Sequence, residues 1–186
     1  MSQGPRERLI DAAIELVRER GVEGTGLADL LERSGAARRS IYQHFPGGKY
    51  ELVGVATDVA GSSLREMVRD GGGAEMATAD LLVVMVEQMK AGLVASDFRL
   101  GCPIAAAALA PADAIAVREA AGVAFDGWAS EIEELLAREG RPHAAARSLA
   151  GFLVSAVEGA LLAARAKRSV EPLDQAREQL ALLLAG

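Results

Sequence analysis

The segment from Thr25 to Leu52, TGLADLLERSGAARRSIYQHFPGGKYEL, constrains this chain more than any other. Its pattern predicts a short helix, a Ser34-Gly35 turn, and a second short helix that opens on Arg38-Arg39 and closes on Tyr42 and His44. Pro46-Gly47-Gly48 then breaks the chain, and Lys49 opens a new helix. Two short helices joined by a glycine-bearing turn are the layout of a helix-turn-helix, whose second helix docks in the major groove of duplex DNA.

The residue types suit that task. Arg38, Arg39 and Ser40 sit at the start of the second helix, where donors reach base edges. Arginine pairs bidentately with guanine N7 and O6, and Gln43, four residues after Arg39, is placed to pair with adenine. Tyr42 and His44 offer donors to phosphates. Lys49 and the N–H groups of its helix start together form an anion site. Thr25 can cap the first helix and offer its hydroxyl to another phosphate.

The net charge of −6 runs against a polyanionic partner. It is unevenly spread: residues 1–50 carry a net +1 and the remainder −7. Affinity for DNA follows the local field at the contact face, so the acidic remainder reads as a solubilising surface. No run approaches the roughly 20 apolar residues of a bilayer span, and the polar N-terminus does not read as a secretory signal. Cytoplasmic residence without a membrane partner is therefore expected. The single Cys102 cannot form an intrachain disulfide.

Nearly every segment shows helical rather than strand periodicity, which predicts an all-α chain of about nine helices. A first helix runs from Pro5 to Arg20 and stops at Gly21, with Leu9, Ala12, Ala13, Leu16 and Val17 on its apolar face. A fourth helix is expected from about Gly48 to Arg69, with Gly71-Gly72-Gly73 as a linker. Further helices are expected over 77–95, to Leu109, from Pro111 to Gly140, from Pro142 to about Arg168, and from Pro172 to Ala185. This gives a three-helix DNA-binding domain, residues 1–50, and a helical domain, residues 51–186.

The chain resembles the tetracycline-repressor (TetR) family, and within it the lincomycin-resistance-repressor branch. The N-terminal match lies in Thr25-Gly26-Leu27, Leu31, Ser34-Gly35-Ala36, Ser40-Ile41-Tyr42, His44-Phe45-Pro46-Gly47-Gly48-Lys49 and Leu52. It continues in Gly101-Cys102-Pro103, Phe125 with Trp128, Glu158-Gly159-Ala160-Leu161, Arg165 and Pro172-Leu173. Ala37-Arg38-Arg39 stands where the branch usually has Pro-Lys-Gly, which changes the expected operator and leaves the second helix without a side-chain N-cap.

The resemblance implies a homodimeric, ligand-responsive repressor that binds a palindromic operator, with an effector pocket and a dimer interface in residues 51–186. Apolar stripes on the last two helices support the interface, with Phe152, Ala156, Gly159, Ala160, Leu180 and Leu184 as candidates. Met67, Met85, Met89, Phe98, Phe125 and Trp128 are candidates to line a pocket for a small, largely apolar effector. Ordinary core packing is the alternative for each.

Two other functions fit some of these residue types. Cys102 with His143 has the residue types of a nucleophile and base, but no third member orients them and no catalytic residue is assigned. A thiol-responsive regulator using Cys102 needs an exposed cysteine of lowered pKa. Two histidines and one cysteine do not make a metal site, and no cofactor is expected.

Overall fold

A computed structural model describes residues 4–73 and 76–185; among them it contains nine α-helices and no strand. These are α1 (Pro5–Arg20), α2 (Leu27–Ser34), α3 (Arg38–His44), α4 (Lys49–Gly73), α5 (Thr78–Ala95), α6 (Pro103–Ala108), α7 (Ile115–Arg138), α8 (His143–Lys167) and α9 (Glu171–Ala185). Contacts divide the chain into two compact units, Met1–Ser62 with Cys102–Ala124, and Ser63–Gly101 with Phe125–Gly186.

In the first unit, α1 is the central strut and packs on α2, α3 and α6. Proline in its first turn needs no N–H partner there, and the Glu7 carboxylate accepts the Gly4 N–H at 2.9 Å. Its buried face, Leu9, Ile10, Ala12, Ala13 and Leu16, meets Leu30 of α2, Ile41 of α3, Phe45, and Leu52 and Ala56 of α4. The N-cap of α2 is Gly26, not Thr25: Asp29 accepts the Gly26 N–H at 3.2 Å, whereas the buried Thr25 hydroxyl donates to the Gly21 carbonyl at 2.8 Å. As expected, Ala37 supplies no side-chain cap to α3.

The second unit is built on contacts of α9 with α5 and α8. Buried Leu81, Leu82, Met85, Val86, Leu153, Val157, Leu161, Leu173 and Leu180 belong to its core, with Trp128 and Ile132 of α7. On its surface Lys90 donates to Asp174 at 2.7 Å and to Glu87 at 3.0 Å, and Arg177 donates to Glu87 at 2.7 Å. The Lys90 partner holds the Asp174 carboxyl below its ordinary pKa.

Three further readings from the sequence change. α7 opens at Ile115, not at Pro111, which lies in the turn before it. α4 does not stop near Arg69 but continues to Gly73. Glycine costs about 1 kcal/mol inside a helix, yet a Cβ at Gly71 would run into the Leu81 side chain, so its absence permits close packing. α8 has a window of mean hydropathy 1.5 and is long and apolar enough to cross a bilayer by length and composition, contrary to expectation; 44% of that window is buried within the protein. Its buried residues include Leu153, Val154, Val157 and Leu161 with Ala146, Ala150 and Ala164, a face packed within the protein.

The α2–α3 turn depends on Gly35, whose φ of +60° lies in the left-handed region. A Cβ there would meet nothing within 4 Å, so any penalty is conformational. Gly35→Ala should therefore lower the stability of the chain by about 1–2 kcal/mol in urea unfolding, and Gly35→Asn by less, because asparagine tolerates this conformation.

Candidate nucleic-acid interface

The orientation of α3 follows from its two apolar anchors. Ile41 and Phe45, four residues apart, are each only 1% exposed, both in the core around α1. Residues offset from them by a quarter to a half turn must then face outward. Arg39, Tyr42 and Gln43 do so and are exposed; Arg38 is exposed because it is the first residue of α3, and Ser40 and His44 are half-buried at the margins of that face. His44 meets the Phe45 ring edge-on, centroids 6.4 Å apart.

The helix entry is fixed from below. Arg8 of α1 donates through Nε to the Ser34 carbonyl at 2.9 Å, which places a cation at the C-terminus of α2, where helix carbonyls lack partners. The Ser34 hydroxyl accepts the Ala36 N–H at 3.2 Å and stiffens the turn.

Charge around α3 is sorted by pairing. Arg20 donates to Asp29 at 3.0 Å and Arg33 to Glu15 at 2.8 Å. Hydrogen bonding to Glu15, offset in part by desolvation, raises the Arg33 pKa further and keeps it charged. Arg18 is also engaged within the chain. By contrast, among the described residues the side chains of Arg38, Arg39, Tyr42 and Gln43 make no hydrogen bond or ion pair. Their donors are available to a partner.

Two of the sequence-derived candidates are placed differently. Thr25 is buried, with its hydroxyl committed to Gly21. Lys49 is half-buried: its Nζ donates to the Val22 carbonyl at 3.1 Å and to Glu23 at 3.3 Å. Tyr50 donates to the same carboxylate at 3.1 Å, and that bond raises the phenol pKa. Both Thr25 and Lys49 thus brace the turn between α1 and α2. The sequence reading passed over Arg6, on the first turn of α1, whose guanidinium lies over the Phe45 ring, 5.6 Å from its centroid.

The candidates in residues 51–186 are dispersed. Met85 and Trp128 are fully buried core residues, Met89 and Phe98 are half-buried, and Met67 is exposed. Phe98 lies under Arg168, 5.7 Å from guanidinium to ring centroid. Phe125 alone of the six lines a groove of about 420 Å3 between α7 and α8, with Asp126, Ala129, Gly151, Val154, Ser155 and Glu158. On α8, Phe152 and Gly159 are exposed and Ala156 and Ala160 half-buried. Leu180 is buried and Leu184 half-buried; both line a cleft with Ala79, Leu82, Val83 and Val86 of α5. Cys102 is half-buried at the N-cap of α6 and is engaged within the chain. Among the described residues no group of His, Cys, Asp and Glu is placed to hold a metal ion.

Comparison with known proteins bears directly on this arrangement. Residues 9–56 match the family described as bacterial regulatory proteins, tetR family. Residues 78–179 match the C-terminal domain of LmrA/YxaF-like transcriptional regulators. An HTH-type transcriptional regulator of Mycobacterium tuberculosis is 38% identical over 98% of this chain and 95% of its own length. The HTH-type transcriptional regulator LmrA of Bacillus subtilis is 29% identical over 93% of each chain. A TetR transcriptional regulator from Chloroflexus aurantiacus superposes with a TM-score of 0.76 at 28% identity, covering 97% of this chain and 94% of that one. The fold also matches a cysteine mutant of the TetR family regulator CifR in complex with operator DNA, TM-score 0.78 at 21% identity and 97% coverage of both chains. This chain therefore belongs to the TetR family of bacterial transcriptional regulators, in its LmrA-like branch, and is a DNA-binding protein rather than an enzyme.

Proposed function

We propose that the chain is a ligand-responsive repressor of the cytoplasm. It binds a palindromic operator as a homodimer through residues 25–49 and is released when a small, largely apolar effector binds within residues 51–186. The observation that carries the DNA-reading part is the outward face of α3, where the side chains of Arg38, Arg39, Tyr42 and Gln43 have no partner inside the chain. The arginines read base edges, Tyr42, Ser40 and His44 hold phosphates, and Thr25 and Lys49 act by holding the turn beneath them.

For assembly, the exposed stripe of α8 supports a two-fold contact. Phe152 is 55% and Leu162 49% exposed. A Cβ at Gly151 or Gly159 would meet nothing within 4 Å, so no contact inside the chain requires glycine there; the approach of a second helix does. For the effector, the groove at Phe125 falls in the size range of small-molecule sites. A ligand there shifts the protein only as far as its affinity differs between DNA-binding and released states.

Arg38→Ala and Arg39→Ala should each cost about 1–3 kcal/mol on an operator selected from a random duplex library, and should relax its sequence preference. Lys49→Ala, already paired with Glu23, should flatten the salt dependence of binding less than either. Unchanged affinity in both arginine variants would remove α3 from the interface. Gly159→Trp has room within one chain, so a shift toward monomer in sedimentation would report a partner at that face, and an unaltered dimer would move the interface elsewhere. Trp128, fully buried next to the groove-lining Ala129, should change its fluorescence on binding any compound that releases DNA; release with no spectral change would place the pocket away from α7.

A further inference from the structure

Residues 1–50 contain eight Lys and Arg residues, and five of them are committed within the chain. Arg8 holds the Ser34 carbonyl, Arg20 and Arg33 hold carboxylates, Lys49 holds Val22 and Glu23, and Arg18 is engaged. Arg38 and Arg39 of α3 are uncommitted. So, among the described residues, is Arg6, apart from its position over the Phe45 ring.

We propose that Arg6 is a DNA-backbone contact: a third guanidinium that binds a phosphate of the same duplex beyond the C-terminal end of α3. The inference rests on the DNA-binding reading given above. Phe45 is the C-cap of α3, so the 5.6 Å distance from the Arg6 guanidinium to its ring sets Arg6 beside the end of the recognition helix. The ring offers no lone pair, so a guanidinium held over it keeps its five N–H donors for other acceptors. The neighbouring Glu7 does not compete for them, because its carboxylate is turned onto the Gly4 N–H at 2.9 Å. The ring also restricts the side chain before DNA arrives, which lowers the ordering cost of the contact. Arg6 adds no base specificity; it adds affinity and fixes how far along its axis α3 sits on the duplex.

The test is the salt dependence of binding to a random-sequence duplex by the full chain carrying Arg6→Met or Arg6→Lys. Methionine still covers Phe45, and lysine keeps the charge. Loss of one phosphate contact from each subunit lowers the slope of log K against log salt by about 0.9 per subunit, about 1.8 for the proposed dimer. The Met variant should show that loss, while the Lys variant stays near wild type and both melt at the wild-type temperature. A wild-type slope in Arg6→Met, measured beside an Arg38→Ala variant whose slope falls, would overturn the proposal and leave Arg6 as a cover for Phe45. A Met variant that loses slope together with melting temperature would be checked by Arg6→Gln; a slope retained in a stable Gln variant would equally overturn it. Absence of salt-dependent binding by the wild-type chain would instead strike the DNA reading itself.

Discussion

Burial of Ile41 and Phe45 beside α1 is the contact on which the DNA-reading face depends. α3 has seven residues, and a helix of two turns does not persist in water by itself. Its two anchors bring it into the core with Leu9, Leu16, Leu30 and Leu52. The same anchors fix its rotation about its own axis. Turning α3 by one residue would expose Ile41 and bring Tyr42 or an arginine toward the core, and burying an unpaired guanidinium costs several kcal/mol. The polar face is thus a consequence of the apolar one, with the Gly35 turn and the Arg8–Ser34 bond fixing where the helix begins.

A chain of net charge −6 meets a polyanion here through sorted charge rather than surplus charge. Exposed ion pairs contribute at most about 1 kcal/mol to stability, so Arg20–Asp29 and Arg33–Glu15 matter less as struts than as neutralised sites. They cancel carboxylates near α2 that would otherwise repel phosphates. At physiological salt, charges more than about 8 Å apart are largely screened. With α3 docked as proposed, DNA at that face responds to Arg38 and Arg39 more than to acidic residues farther away.

How far the sequence was legible follows from what kind of signal each feature leaves. α1 and α3 were readable to their ends because Pro5, Gly21 and Gly35 punctuate the chain locally. α4 was misread because three glycines look like a break, and only the distant Leu81 against Gly71 shows why a helix tolerates them. Thr25 and Asp29 both have cap-forming oxygens; which one serves depends on a backbone angle at Gly26 that composition does not encode. The outward donors of α3 were legible from spacing. Arg6 was not, since its availability appears only when Arg8, Arg18, Arg20, Arg33 and Lys49 have found their partners. The methionines and Trp128 show the same limit from the other side: periodicity tells that a face is buried, not whether a ligand or a helix covers it.

α8 shows why composition alone misleads about the surroundings of a helix. Its hydropathy suits a bilayer, and a spanning helix must be apolar on all sides. α8 instead exposes Arg147 and Ser155, and carries Arg165 and Lys167 at its end. Its buried face, Ala146, Ala150, Leu153, Val157, Leu161 and Ala164, repeats at helical spacing, as a face against other helices does. What is left exposed mixes the large Phe152 and Leu162 with Gly151 and Gly159. A fluid lipid tail gains nothing from that alternation of large and small. A rigid helix does, because a large side chain on one copy fits where the other has only a hydrogen. The proposed two-fold contact would set these large and small side chains of two copies against one another.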